Sequence, residues 1–183
     1  ALQPAAARPD TRIAALSAPR IAMLVGGPNA TYRFLPGDME TLHSIATTVL
    51  QTDASLMITC SRRTPPELLG RLQSLTKSAG DRCFVWDGSG ANPYIAMLAL
   101  ADAFIVTADS VSMIAECIST GKPVQIYEPA GTAGKFAHLI SELRRRDAIR
   151  PWMGELESWS YLPIDSTPVI AAEIARRYLA PRR

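Results

Sequence analysis

The chain has 183 residues, of which 48% are hydrophobic and 20% charged, and its formal net charge is +2. This length and composition are typical of one folded domain and exclude an intrinsically disordered chain, while the small net charge argues against nucleic-acid binding driven by overall charge. The 16 Arg against 3 Lys favour either bidentate recognition of phosphate or carboxylate groups or the codon bias of a GC-rich genome.

Three cysteines and two histidines limit the metal and redox chemistry of the chain. Cys60, Cys83 and Cys117 are far apart, and they form neither a CxxC pair nor a ligand cluster with His43 or His138. We therefore expect no metal site, no cofactor and a reducing, cytoplasmic setting. No Ser-His-Asp or Cys-His arrangement can be assigned, so the catalytic residues are unknown and covalent catalysis is not expected. No apolar run approaches the ~18 residues of a transmembrane helix, and peripheral membrane contact stays open.

The first residues differ in composition from the rest of the chain. ALQPAAARPDTRIAALSAP is rich in Ala and Pro, lacks an initiator Met and has no proper apolar region of a signal peptide. We expect residues 1–19 to be a linker or disordered segment. We expect residues 20–183 to be a single domain, the C-terminal half of a longer protein.

From residue 20 onward, apolar runs alternate with amphipathic segments. The predicted strands with their following turns are RIAMLVGG, SLMITCSRRTPP, CFVWDGSG, AFIVTAD and KPVQIYEP. The predicted helices are METLHSIATTVLQ, ELLGRLQSLTKSAG, NPYIAMLALAD, SVSMIAECIST, GKFAHLISELRRRDA and a last one near STPVIAAEIARRYL. Five rounds of strand and helix predict an α/β fold, a doubly wound, Rossmann-like parallel sheet with helices on both faces.

Ligands of such sheets bind beyond the carboxyl ends of the strands, near the point where the strand order reverses. The loops at this edge are therefore the candidate site. They span residues 26–32, 61–65, 87–92, 109–112 and 128–135.

The fourth of these loops opens a helix. Because the first amides of a helix are unpaired and carry partial positive charge, Ser110, Val111 and Ser112 are candidate ligands of a phosphate group, with the two hydroxyls as added donors. Glu116, one turn further, could accept hydrogen bonds from ribose hydroxyls. The alternative is structural, because Asp109 and Ser110 are ordinary N-cap residues and Glu116 could simply face solvent.

Two other loops carry groups that suit a diphosphate. Gly26 and Gly27 would let the backbone approach a diphosphate closely or would simply form a turn, and they match neither GxGxxG nor the P-loop pattern. Ser61, Arg62 and Arg63 follow the second strand, where two guanidinium groups would neutralise a diphosphate or form a solvated basic turn.

The remaining loops offer weaker candidates. Lys135 could supply a further cation or simply begin a helix. Asp87, Asn92 and Tyr94 could line a base or sugar pocket, although Asn92 followed by Pro93 is also a typical helix start.

Seven segments together resemble the mitochondrial-fission family named after elongated mitochondria, from about residue 20 to the end of the chain. They are LVGGPN, TCSRRTP, VWDGSGANPY, ADAFIVTADSVSMIAECISTGKPV, GK at 134–135, LESWSYLPIDST and the closing helix. The resemblance implies a further α/β domain ahead of this one. For plant members it implies the recruitment of a dynamin-related protein to mitochondria.

The region from Asp102 to Val124 is also similar to the nucleotide-binding half of GT-B glycosyltransferases. This likeness implies that the amino end of a helix holds the diphosphate and that a Glu on it, here Glu116, grips the ribose. It also implies that Trp86 and Asp87 lie in the loop that contacts the base. The chain departs from the pattern where Asp109-Ser110 replaces a Gly-rich motif.

The expected function is therefore binding of a nucleotide diphosphate sugar, by one half of a metal-independent glycosyltransferase if the full protein is an enzyme. The alternative is a non-catalytic adaptor of the fission family. An NAD(P)-dependent epimerase or dehydrogenase is disfavoured, because GxGxxG and Tyr-xxx-Lys are both missing. Expected partners are the nucleotide sugar and the protein's own N-terminal domain, with no nucleic acid.

Overall fold

A computed structural model describes residues 11–130 and 137–164 of the chain. Its strands are β1 (Arg20–Val25), β2 (Ser55–Cys60), β3 (Cys83–Val85), β4 (Ala103–Thr107), β5 (Val124–Tyr127) and β6 (Arg150–Pro151). Its helices are α1 (Thr11–Ala14), α2 (Pro36–Leu50), α3 (Pro66–Ala79), α4 (Tyr94–Leu100), α5 (Val111–Ile118) and α6 (Ala137–Arg145), with a 3-10 turn at Gly80–Arg82.

The six strands form one parallel sheet in the order β3-β2-β1-β4-β5-β6. The chain starts in the middle of the sheet, builds towards one edge and then returns to place β4 beside β1. The strand order therefore reverses between β1 and β4, where Ile21 pairs with Ala103 and Leu24 with Val106. This is the doubly wound, Rossmann-like architecture that the alternation of strands and helices predicts.

Successive side chains of the central strand β1 pack alternately in two separate hydrophobic cores. Ile21, Met23 and Val25 pack on the face that α2 and α3 cover, while Ala22 and Leu24 pack on the opposite face with residues of α1, α4, α5 and α6. A strand that is buried on both faces reads as a continuous apolar run, which is why RIAMLV shows no polar alternation.

The described part of the predicted linker belongs to the folded domain. Helix α1 places Ile13, which is 0% exposed, in the core on the α4–α5 face, and Leu16, just after the helix, is 4% exposed in the same core. The prediction of a linker was therefore wrong for residues 11–19, because two apolar side chains in an Ala-rich stretch are enough to anchor one helical turn. Residues 1–10 lie outside the described part.

Two further elements were not settled by the pattern. Strand β6 was missed because it has only two residues, one of them proline, and it is recognisable only through its pairing with β5. The predicted last helix near residues 166–179 lies outside the described residues. Across residues 11–130 and 137–164, none of the helices combines the length and apolar character needed to cross a bilayer.

Candidate functional site at the β1–β4 switch point

The turns after β1 and β4 meet where the strand order reverses, and we call the space between them the switch-point crevice. The Gly26 amide donates to Thr107 Oγ1 over 2.7 Å, and the Gly27 amide donates to Asp109 Oδ2 over 2.9 Å. The Asn29 side chain closes the same gap by donating to the Asp109 carbonyl over 3.1 Å. The crevice is thus bridged by the protein's own hydrogen bonds.

One predicted phosphate ligand, Arg63, already has an internal anionic partner. Its Nη2 atom lies 3.1 Å from Asp109 Oδ2, and its Nη1 atom donates to the Gly27 carbonyl over 3.1 Å. The Arg63 side chain is 44% exposed whereas that of Asp109 is 0% exposed. The Gly27 amide and the Arg63 guanidinium therefore both bind the carboxylate of Asp109.

Close packing explains why two glycines follow β1. A Cβ atom at position 26 would overlap the Asp109 carboxylate, and one at position 27 would overlap the backbone of Arg63. Neither glycine has a positive φ angle, so space rather than backbone conformation demands glycine at both positions. We considered that these glycines would let a diphosphate approach the backbone. In the structure the groups that lie against them are the Asp109 carboxylate and the backbone of Arg63.

The turn after β2 divides its two arginines between different roles. Ser61 Oγ accepts a hydrogen bond from the Arg63 amide over 3.2 Å and lies 3.3 Å from Thr64 Oγ1, so Ser61 organises the turn. Thr64 in turn donates to the Gly26 carbonyl, which joins this turn to the one after β1. The exposed Arg62 side chain forms no hydrogen bond or ion pair with any described residue. Arg62 is thus free to meet a ligand.

Helix α5 starts at the crevice with unpaired amides. Ser110 occupies the N-cap position, but its side chain makes no capping hydrogen bond, and its Oγ atom lies 3.4 Å from Ser112 Oγ. The first bond of the helix runs from the Ile114 amide to the Ser110 carbonyl. The amides of residues 111–113 have no acceptor among the described residues. This end of α5 therefore presents unpaired donors and two hydroxyls, the arrangement that suits an anion.

Glu116 reaches a different neighbour, at the start of α4. Its Oε2 atom accepts a hydrogen bond from the Tyr94 hydroxyl. Burial and this bond to Glu116 raise the pKa of Tyr94. Both Trp86 and Tyr94 are half-buried and pack against the core on the α4–α5 face. Glu116 and Tyr94 are thus joined by a hydrogen bond and form a second pair of candidate ligand residues.

Asp87 and Asn92 serve the local backbone. Asp87 Oδ1 accepts from both the amide and the hydroxyl of Ser89, and these hydrogen bonds lower the pKa of Asp87. Asn92 Oδ1 accepts from the Tyr94 amide over 3.0 Å and so organises the turn before α4, but the N-cap position is held by Pro93 and not, as we predicted, by Asn92. Lys135 lies outside the described residues.

Two contacts at this edge of the sheet were not predicted from the sequence. Asp109 appeared only as a helix cap, yet its carboxylate bridges to Gly27. Asp38 in α2 accepts from the Tyr127 hydroxyl over 2.7 Å and from the Ala130 amide over 2.9 Å, tying the turn after β5 to α2. The one usable signal in the sequence was Asp109-Ser110, which stands where the resemblance to GT-B glycosyltransferases implies a Gly-rich motif. Within the described ranges, no group of three or more His, Cys, Asp and Glu side chains could hold a metal ion.

Comparison with known proteins identifies the family. The profile of the family described as "Mitochondrial fission ELM1" matches residues 1–178. The chain is 37% identical over 186 residues to "Mitochondrial fission protein ELM1" of Arabidopsis thaliana, covering 99% of this chain and 43% of that protein. It is 31% identical over 159 residues to "Uncharacterized protein RP120" of Rickettsia prowazekii, covering 82% and 44% respectively. The chain spans less than half the length of these relatives. It belongs to the mitochondrial fission ELM1 family.

Proposed function

We propose that this domain binds a nucleoside diphosphate sugar at the carboxyl edge of its sheet. In the full-length protein it would be the donor-binding half of a GT-B-like, metal-independent glycosyltransferase. The phosphates would lie at the amino end of α5, and the nucleoside would extend towards Glu116. The acceptor site and any general base would then come from the rest of the full-length protein.

The observation that carries this proposal is the set of unpaired donors beside the switch-point crevice. The amides of residues 111–113 and the guanidinium of Arg62 have no partner among the described residues. An anion there gains charge-assisted hydrogen bonds of about 1.5–3 kcal/mol each, without breaking any contact within the described protein. The position also agrees with the general location of ligands in doubly wound sheets.

The group around Glu116 suits the nucleoside end of such a ligand. One carboxylate oxygen is engaged by Tyr94, and the exposed Glu116 keeps its other oxygen for a ribose hydroxyl. The half-buried ring of Tyr94, whose hydroxyl contacts this carboxylate, supplies apolar surface beside it, and Trp86 packs against the same core. The same helix would therefore contact both ends of the nucleotide.

Calorimetric titration of UDP, GDP, ADP and their sugar conjugates into the chain tests this proposal. One nucleotide should bind, and Arg62→Gln should weaken it about tenfold, the value of one charge-assisted contact. Arg71→Gln is the matched control, since Arg71 is an exposed arginine of α3 whose ion pair with Glu67 stays on its own helix. No heat with any nucleotide near millimolar concentration would overturn the proposal.

A second candidate function is a non-catalytic adaptor, and Asp109 is the observation that favours it. Its carboxylate already binds the Gly27 amide and Arg63, two groups that a diphosphate would use. The name of the Arabidopsis relative refers to mitochondrial fission, a role that an interaction surface could serve. Affinity capture by the full-length protein distinguishes the two functions. An adaptor keeps its protein partner when Ser110→Ala and Glu116→Ala are combined, whereas a partner that depends on bound nucleotide is lost.

A further inference from the structure

A buried carboxylate occupies the place where an anion would meet the turn after β1. The Asp109 side chain is 0% exposed, and its Oδ2 atom receives hydrogen bonds from the Gly27 amide and from Arg63 Nη2. A backbone amide and a guanidinium group converging on one oxygen are the donors that phosphate-binding turns offer. The Asp109 carboxylate therefore occupies surroundings that resemble a phosphate-binding site.

The surrounding backbone is shaped around this carboxylate. Gly26 leaves room for the carboxyl group itself, and Gly27 leaves room for the backbone of Arg63. Thr107 accepts from the Gly26 amide, and Asn29 donates to the Asp109 carbonyl. The glycine pair, Arg63 and Asn29 therefore hold Asp109 in this inward position.

The second carboxylate oxygen is left without a partner. Asp109 Oδ1 is buried and forms no hydrogen bond with the described residues. A buried, unsatisfied charged oxygen costs free energy, so the inward position is held at a cost that an outward position in water would not carry. The inward Asp109 side chain thus keeps two phosphate-binding donors occupied while one of its own oxygens stays unsatisfied.

We propose that Asp109 is a specificity-determining residue that competes with the phosphates of the ligand for the Gly27 amide and for Arg63. The inference rests on the proposed nucleotide binding. It states how many phosphate groups of the ligand contribute to its affinity. With Asp109 inward, one phosphate binds at the amino end of α5 and at Arg62. A second phosphate adds little affinity, because the Gly27 amide and Arg63 are already bound to Asp109 and the Asp109 carboxylate repels the phosphate. The wild-type chain therefore binds nucleoside monophosphates and diphosphates with similar affinity.

Calorimetry on Asp109→Asn and Asp109→Ser tests this competition, with UDP, GDP, ADP, the matching monophosphates and inorganic pyrophosphate as probes. Affinity for the diphosphate should rise about tenfold, the value of one charge-assisted hydrogen bond, while affinity for the monophosphate stays within about twofold. Asp53→Asn is the control, because it removes the same charge from an exposed position just before β2, at the opposite edge of the sheet.

The wild-type chain gives a readout that needs no variant to fold. In ¹H–¹⁵N spectra, pyrophosphate should shift the amide signals of residues 111–113 and leave that of Gly27 in place. In Asp109→Asn the Gly27 signal should also move. A Gly27 signal that moves equally in both proteins would overturn the role of Asp109.

The outcomes separate this inference from the proposed function. A gain for diphosphates alone in the Asp109 variants supports both. Nucleotide binding that is unchanged or weaker in those variants overturns the competition and leaves nucleotide binding standing. A gain for pyrophosphate without any nucleotide binding keeps the role of Asp109 and overturns the proposed function. No binding of any probe by any variant overturns both.

Discussion

The Asp109 carboxylate lies 2.9 Å from the backbone nitrogen of Gly27, a residue 82 positions earlier in the chain. This contact joins the turns that follow β1 and β4, where the strand order of the sheet reverses. Doubly wound sheets bind their ligands at this point, so Asp109 decides which groups remain available there. A glycine pair after a first strand is often read as a phosphate turn, and here it accommodates a carboxylate of the same chain.

Gly26→Ala should destabilise the domain by roughly 1–3 kcal/mol, because the added methyl group overlaps the Asp109 carboxylate and forces backbone or side-chain shifts. Urea unfolding followed by circular dichroism measures the change. Gly70→Ala is the matched control, since no atom lies within 4 Å of a Cβ there. That helical substitution should stabilise the chain by about 0.5–1 kcal/mol. Equal effects at the two positions would contradict the packing at Gly26.

Ile13→Ala should cost about 2–5 kcal/mol of unfolding free energy, because Ile13 is 0% exposed and its removal leaves a cavity against the core. Leu162→Ala truncates an apolar side chain that is 88% exposed and should change stability by less than about 0.5 kcal/mol. Denaturant midpoints of the two variants give the comparison. If Ile13→Ala loses as little unfolding free energy as Leu162→Ala, residues 11–19 do not pack against the core and the prediction of a linker would be right.

Tyr127 should ionise well above an ordinary tyrosine. Burial, and then its hydrogen bond to Asp38, raise the pKa of Tyr127 to about 12. In the unfolded chain the phenol ionises near pH ~10, so the stability that it contributes is complete below that pH and is lost between pH ~10 and about 12. Alkaline absorbance titration, with Tyr127→Phe to assign the signal, measures this pKa.

Asp38→Asn should lower the pKa of Tyr127, because the charged acceptor of its hydroxyl is replaced by a neutral amide. Glu40→Gln removes an exposed carboxylate from the same helix and should leave the Tyr127 titration unchanged. If both substitutions shift the titration equally, a general charge effect and not the hydrogen bond would account for it.

The three cysteines should react slowly with thiol reagents in the folded chain. Burial raises the pKa of Cys60 to about 12 and that of Cys83 to about 11, and it also raises the pKa of Cys117. Because the thiolate is the reactive form, labelling at pH ~8 should be at least about 100-fold slower in buffer than in urea. Rapid labelling of one cysteine in buffer would show that its surroundings open.

Raised thiol pKa values also set the sign of a pH effect on stability. The unfolded thiols ionise near pH ~8.5, at a lower pH than the folded ones. The contribution of the buried thiols to the free energy of unfolding is therefore complete below that pH and falls as the pH rises further. Replacing Cys83 by Ser should remove part of the loss of stability between pH ~8.5 and about 11. An unchanged slope over this range would contradict the burial of that thiol.

Local patterns determined the architecture of this protein. RIAMLV reads as a strand buried on both faces, and the structure places its side chains alternately in two cores. The glycines after α3 and α5, Gly80 and Gly121, adopt the positive φ angles that end helices. These features depend on neighbours within a few residues, so composition and spacing alone are enough to predict them.

Tertiary structure alone decided the chemistry of the edge. Asp109 meets Gly27 across 82 positions, and Tyr127 meets Asp38 across 89. Asp109 is a plausible cap in sequence, and only the approach of β1 to β4 turns it into the partner of Arg63. The physical reason is that a strand or helix is selected by interactions along the chain. Which donor finds which acceptor depends on how the sheet brings distant turns together.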